Sequence, residues 1–134
     1  MSSANILTAF NDHFVEFVTD VHSAFPEDKD ILVAKNALLM IRKANPKMII
    51  NLWNECVVGR YKGEIERGDI SFFVNKDYSH DLVGSTNSDN IRNVIDRLRV
   101  PIKQMNPEEQ AKAMKYIQNL TKLADIYHIS SITN

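Results

Sequence analysis

The stretch NPKMIINLWNECVVGRYKGEIERGDISFFVNKDY, residues 45–78, decides the fold class. It opens with Asn45 and Pro46, which are typical of a helix start because asparagine caps free N–H groups and proline lacks one. Gly68 is typical of a helix end. Between them, apolar and aromatic residues recur every four positions, as on one face of a helix. They are Ile49, Trp53, Val57, Tyr61 and Ile65. The stretch predicts a helix with Trp53 buried in the core against the preceding helix.

Two glycines lie inside this predicted helix, at Gly59 and Gly63. Each costs roughly 1 kcal/mol against alanine in a helix interior. Their presence favours either the close approach of another backbone or ring, or a break of the helix near Gly63.

Two helices are predicted before this stretch. The first spans about 4–25 and places one apolar face inward. Its inward residues are Leu7, Phe10, Phe14, Phe17 and Val21. The second spans 31–44, with Asp28 or Asp30 as its cap. It is apolar almost all round, which is typical of a central helix, so we expect it to be the most buried one.

Two more helices are predicted after it. The fourth begins at Ser88 or Asp89, and Pro101 ends or kinks it. The fifth begins at Asn106-Pro107, where cap, first-turn proline and acids coincide, and runs to about residue 127. Its inward residues are Ala113, Ile117, Leu120, Ala124 and Tyr127.

The segment after Gly68 has no clear period. Asp69 caps a short helix there, or the residues form an extended aromatic strap across the core. The chain is therefore predicted to be an all-α, single-domain bundle of about five helices, with this strap or short helix between helices three and four.

The composition is that of an ordinary globular protein. The chain has 134 residues, 44% of them hydrophobic and 25% charged, which suits one domain over 1–134. Cys56 is the only cysteine, so no internal disulfide forms, and we expect a small buried side chain there. The N-terminal segment lacks signal-peptide character, and no apolar run reaches the roughly 20 residues of a membrane span. We expect a soluble intracellular protein.

Charged residues alternate in acidic and basic blocks, although the net charge is only −1. Neighbouring helices that pair opposite charges explain this pattern, and so does a patchy surface that docks on partners. One basic block is a candidate phosphate-binding patch: Arg92, Arg97, Arg99 and Lys103. An isoelectric point near 6.4 argues against nucleic acid as a partner. A nucleic-acid-associated helical protein is kept as the alternative function.

Residues suited to acid–base or metal chemistry are scattered. Asp77, His80 and Asp81 form the one local cluster, which we interpret as a loop or helix cap. His13 and Glu16 are one turn apart, but di-metal bundles need such groups on two pairs of helices, so an acidic solvated face is the better interpretation. We expect no catalytic residue, no metal site and no cofactor.

The aromatic segment supplies candidate partner contacts at Phe72, Phe73 and Tyr78. Adjacent phenylalanines point to opposite faces of a strand and diverge by about 100° in a helix. At least one is therefore a candidate for exposure, and exposed aromatics rimmed by polar groups are typical interface anchors. An irregular strap that turns both rings inward is the alternative.

Four phrases carry a resemblance to a known group: DVHSAFPEDKDILVAKNALLMIRKANPKMIINLW, GDISFFVNKDY, IDRLRVPIKQM and MKYIQNLTKLADIY. With them the chain resembles small uncharacterised helical proteins of large algal double-stranded-DNA viruses, over about residues 14–127. The resemblance brings no catalytic residues. It implies a virion or host-cell location and a structural role as a minor capsid or other virion-associated protein. We therefore expect a non-enzymatic protein–protein interaction protein whose partners are larger capsid or virion proteins.

Overall fold

The computed structural model describes residues 3–70 and 97–133, which are helical apart from short connections. The first range holds α1 (Ser3–Ala24), α2 (Lys29–Ala44), α3 (Met48–Leu52), a π-helical segment (Trp53–Val58) and α4 (Gly59–Glu66). The second holds α5 (97–104) and α6 (Pro107–Thr133). The predicted all-α, single-domain bundle is confirmed, and the described ranges contain no strand.

The central helix is α1. It contacts α2, α3 and α6, and its buried face carries three phenylalanines in successive turns. Its buried residues are Ile6, Phe10, Asn11, Phe14, Phe17, Val18 and Val21. Large aromatic side chains at i, i+4 and i+7 give α1 enough apolar surface to organise helices around it.

The prediction that the second helix is the most buried was wrong. Only one side of α2 is buried, at Ile31, Ala34, Leu38 and Ile41. Within the described ranges its helical contacts are chiefly with α1 and α3, which cover that side alone. Asp28 is its N-cap, and the carboxylate accepts hydrogen bonds from the N–H groups of Asp30 and Ile31. Although α2 has apolar residues on nearly all of its faces, only the face toward α1 and α3 is buried.

Burial of Trp53 is confirmed, since the residue is only 2% exposed. Its ring contacts Phe14 edge-on at a centroid distance of 5.5 Å and Phe10 at 6.3 Å. The indole N–H donates to Thr121 Oγ1 at 3.3 Å. The ring contacts and the hydrogen bond of Trp53 are therefore made with α1 and α6, and Trp53 shares one hydrophobic cluster with Leu38 of α2.

The predicted helix start at Asn45 was also wrong, because α3 begins at Met48. The Asn45 N–H donates to the Ile41 carbonyl at 2.8 Å, so this asparagine closes α2 instead. The Pro46 carbonyl accepts a hydrogen bond from the Asn11 side-chain amide at 3.0 Å. The connection is thus tied to α1 before the next helix begins.

The C-terminal stop at Gly68 is confirmed. Its φ of 73° is left-handed, a conformation that glycine adopts without steric cost. The Gly68 N–H donates to the Ile65 carbonyl and the Asp69 N–H to the Glu64 carbonyl, at 3.1 and 2.9 Å. This pair of bonds is a Schellman motif, which satisfies the last free carbonyls of α4.

The two interior glycines accompany a distortion of their own helix. A Cβ at Gly59 would lie 3.4 Å from the Asn54 carbonyl oxygen, and one at Gly63 would lie 3.2 Å from an Arg67 nitrogen. Among the described residues, no backbone or ring of another helix lies that near either glycine, so this part of the fold gives no support to close approach. Tyr61 has non-helical angles of −125° and 20°, which supports the alternative of a break near Gly63.

The start of α6 is as predicted. The Glu109 N–H donates to Asn106 Oδ1 at 2.8 Å, and Pro107 is the first helical residue. Pro101 does not end the preceding helix, which continues to residue 104. The prediction placed the end of α6 near residue 127, but the helix runs to Thr133. Among the helices of the described ranges, none combines the length and apolarity needed to cross a bilayer.

Candidate functional site

The side of α2 that faces away from α1 is apolar and exposed. Four side chains define this outer face, with exposed fractions of 44% for Leu32, 47% for Val33, 41% for Leu39 and 72% for Met40. They form two adjacent pairs seven residues apart, so all four lie on the same side of the helix. Single exposed apolar residues are normal, but a contiguous group of large ones marks a binding surface.

Polar residues complete this outer face. Asn36 lies midway between the two apolar pairs, and Lys29 and Lys43 lie one turn beyond them. All three are exposed. The helix therefore presents apolar contact area around one central amide, with cationic side chains at the ends.

The two ends of α2 carry opposite net charge, although each end places one lysine on the outer face. Glu27 and Asp28 precede its first turn, and Lys43 and Lys47 lie in and beyond its last turn. Two ion pairs fasten the flanks of the helix to its neighbours and take no part in the outer face. Asp30 pairs with Arg97 at 2.7 Å, and Arg42 pairs with Asp12 at 2.5 Å.

A second cluster lies where α1 packs on α6 and is formed by His13, Glu16, Asp20 and Tyr116. The Tyr116 ring stacks on Phe17 at 5.2 Å and contacts His13 at 4.8 Å. The Tyr116 hydroxyl donates a short hydrogen bond to Asp20 and lies 3.3 Å from Glu16 Oε1. We name these four residues the Tyr116 cluster.

The Tyr116 cluster keeps its phenol neutral. Burial raises the pKa of Tyr116 well above its ordinary value near 10, and the hydrogen bond and negative charge of Asp20 and then of Glu16 raise it further. A tyrosine held neutral in this way is a hydrogen-bond donor and a poor base. A groove of about 230 Å³ lies beside it, lined in part by Met105 and Lys112.

The histidine of this cluster has one partner. His13 Nδ1 lies 3.8 Å from Glu16 Oε2, while Nε2 is buried and has no hydrogen-bond partner in the part of the chain that the structure describes. Within residues 3–70 and 97–133, no three histidine, cysteine or acidic side chains gather in a way that would hold a metal ion. We interpret the Tyr116 cluster as a structural polar contact that joins α1 to α6.

The basic patch predicted from the sequence is divided by the fold. Arg97 is paired with Asp30 of α2, Arg99 is half-buried, and Lys103 is exposed. Arg92 lies outside the described residues. The charge of Arg97 is therefore compensated by a neighbouring helix, in agreement with one of the two interpretations of the alternating charge blocks.

The other candidates lie outside the described residues and stay predictions. These are the partner contacts Phe72, Phe73 and Tyr78, the acid–base cluster Asp77, His80 and Asp81, and the side chain of Cys56. The outer face of α2 was not predicted from the sequence, because apolar residues all round a helix are also typical of a buried helix. The two apolar pairs spaced seven apart opposite a complete inner face were the signal that could have revealed it.

Comparisons of the chain with protein-family models, with curated proteins and with solved structures gave no match.

Proposed function

We propose that this chain is a non-enzymatic protein–protein interaction subunit that binds through the outer face of α2. The observation that carries the proposal is the exposure of Leu32, Val33, Leu39 and Met40 beside one another on a helix whose opposite side is core. Burying such side chains releases about 25 cal/mol per Å² of apolar surface, so a protein partner gains most of its affinity there.

The sequence resemblance gives this proposal its finer form. On that resemblance alone, we propose that the subunit is a structural, virion-associated or minor capsid component. The measurement is the abundance of the chain in virus particles purified from its source, relative to the infected-cell extract. Enrichment in particles through successive purification steps is expected, and depletion from them would overturn this finer proposal.

Photocrosslinking tests the binding surface directly. A photoreactive phenylalanine analogue at Met40 should form adducts with protein in an extract of the source, whereas the same analogue at Lys122, an exposed position on α6, should not. The Met40 adduct should disappear when Leu32 and Val33 are both changed to Ser in the same molecule. Circular dichroism confirms that the variant is folded. Equal adducts at both positions, or none at Met40, would contradict the proposal.

Oligonucleotide binding tests the alternative function. We expect no meaningful affinity for single- or double-stranded oligonucleotides at physiological salt, because Asp30 already compensates Arg97. Fluorescence anisotropy checks this. A salt-dependent dissociation constant in the low micromolar range would favour the nucleic-acid-associated protein instead.

A further inference from the structure

The outer face of α2 has the same pattern in both directions along the helix. Counting from Asn36, apolar residues lie three and four positions away on either side, and a lysine lies seven positions away on either side. The three pairs related in this way are Val33 with Leu39, Leu32 with Met40, and Lys29 with Lys43. When a second copy is turned by 180° about this centre, apolar residues meet apolar residues and Asn36 meets Asn36.

We propose that the partner on this face is a second copy of this chain, bound through antiparallel packing of α2 on α2 with the two-fold axis at Asn36. The inference rests on the proposed function and names its partner. A two-fold interface is self-complementary, so each contact occurs twice. Leu32 then packs on the partner's Met40, and Val33 packs on the partner's Leu39.

Charge favours the antiparallel direction. The acidic end of α2, at Glu27 and Asp28, meets the basic end of the other copy, which carries Lys43 and Lys47. The helix dipoles also oppose each other in this arrangement. A parallel arrangement would place acidic ends together and basic ends together, which disfavours it.

Asn36 fixes the register. A side-chain amide has both donors and acceptors, so two copies of Asn36 on the axis can hydrogen-bond to each other. A shift of one helical turn would place each amide against apolar side chains of the other copy without a hydrogen-bond partner, which costs free energy. One polar residue in an apolar helix seam sets alignment in this manner.

One like-charged contact remains in the pairing, and it supplies a sharp test. Lys29 lies opposite the partner's Lys43 at the solvent-exposed end of the interface, where repulsion is weak. Reversing one of these charges should create an ion pair at both ends of the dimer. Reversing both should restore a like-charged contact.

Sedimentation equilibrium of the purified full chain tests the proposal. We expect a concentration-dependent monomer–dimer equilibrium in the wild-type protein. Met40→Asp should weaken the dimer by about tenfold or more, because it buries a charge in the interface between the two α2 helices. Lys122→Asp, a matched change at an exposed position of α6, should leave the equilibrium unchanged. Far-ultraviolet circular dichroism and the melting temperature verify the folding of each variant.

The charge reversals determine the direction of packing. At low salt, K29E and K43E should each tighten the dimer by about two- to tenfold, and the K29E/K43E double variant should lose that gain. In a parallel dimer Lys29 would meet the partner's Lys29, so K29E would replace one repulsion by another and bring no gain. A gain that persists in the double variant would also overturn the antiparallel arrangement.

The proposed function and the self-association fail in different ways. A protein that stays monomeric up to about 1 mM by sedimentation, while photoreactive Met40 forms adducts with a different protein, overturns the self-association and leaves the interaction function standing. If photoreactive Met40 instead crosslinks to another part of the same chain in a monomeric protein, the self-association is likewise overturned. A monomer without any Met40 adduct overturns both.

Discussion

The seam between α1 and α6 and the outer face of α2 are both built from apolar residues at helical spacing, yet only the first is closed. In the seam, the Trp53 ring packs edge-on against Phe10 and Phe14, and Thr121 Oγ1 accepts the indole N–H. On the outer face, large aliphatic side chains are 41–72% exposed, with no aromatic among them. Among the described residues the two helices differ in their number of neighbours. Helix α1 is covered by α2, α3 and α6, whereas α2 has α1 and α3 on one side only.

This contrast separates stability from binding within one small bundle. Closed aromatic packing contributes dispersion and transfer free energy already in the isolated chain. An open aliphatic face contributes less of both until something covers it. We therefore expect substitutions in the seam to change the free energy of unfolding, and substitutions on the outer face to change association.

The largest effect is expected at the centre of the seam. Trp53→Ala should lower the free energy of unfolding by about 3–5 kcal/mol, because it removes a fully buried ring and leaves a cavity between α1 and α6. Urea denaturation at neutral pH measures the loss. Trp53→Phe, which keeps a ring but loses the hydrogen bond to Thr121, should cost less. A loss below about 1 kcal/mol for the alanine variant would mean that the seam is not the stabilising core.

A smaller effect is expected where α6 enters the seam. Asn106→Ala should cost about 0.5–2 kcal/mol, because Asn106 Oδ1 accepts the Glu109 N–H at 2.8 Å. Asn106→Asp or Asn106→Ser should retain most of the stability, since both side chains cap helices well. Equal losses for alanine and aspartate would show that the cap does not hold the start of α6.

The sequence predicted those parts of the fold that local chemistry determines. The cap at Asn106, the glycine stop at Gly68 and the burial of Trp53 follow from hydrogen-bonding groups and apolar spacing that act within a few residues. The start at Asn45 failed because the competing use of that asparagine, as the end of α2, is equally local and equally compatible with the sequence.

The sequence did not predict which faces of each helix are covered by other helices. Burial of α2 depends on how many other helices pack around it, which is a tertiary property that no window of one helix records. For the same reason the sequence did not indicate the contacts of Trp53 with α1 and α6. The pairing of Tyr116 with Asp20 joins residues 96 positions apart, so no local pattern indicated the Tyr116 cluster.

The Tyr116 cluster, at the polar edge of the seam, should make a pH-dependent contribution of intermediate size to the free energy of unfolding. Below the ordinary tyrosine pKa near 10, Tyr116→Phe should cost about 0.5–1.5 kcal/mol, the usual net worth of a hydrogen bond. The folded-state pKa is raised, so the folded protein keeps a proton that the unfolded chain releases above pH 10. This part of the stability is therefore fully present below pH 10 and is lost as pH rises through the raised pKa.

Two measurements test this loss of stability at alkaline pH. Urea denaturation should show wild-type stability falling above pH 10 more steeply than that of Tyr116→Phe. Tyrosinate absorbance should show one of the four tyrosines ionising after the others, and the Tyr116→Phe variant should lack this late phase. Parallel alkaline slopes for the two proteins would show that the phenol is not coupled to Asp20 and Glu16.

The smallest effect on stability is expected on the outer face, and two adjacent leucines provide the comparison. Leu38 is 1% exposed and Leu39 is 41% exposed, although they share a helix, a residue type and nearly the same distance from its ends. Leu38→Ala should cost about 2–5 kcal/mol through lost transfer free energy and a cavity. Leu39→Ala should change the free energy of unfolding by less than about 0.5 kcal/mol, since alanine also favours the helix slightly.

The leucine pair must be measured where the protein is monomeric, because association adds to apparent stability by mass action. Under those conditions Leu39 is 41% exposed, so its truncation removes less burial than the truncation of Leu38. Raising the protein concentration should then stabilise the wild type but not Leu39→Ala, because only the wild type retains the full contact of Leu39 with the partner's Val33. A loss above about 1 kcal/mol for Leu39→Ala in the monomer would show that the outer face is closed by the chain itself, and the distinction between the two regions would then disappear.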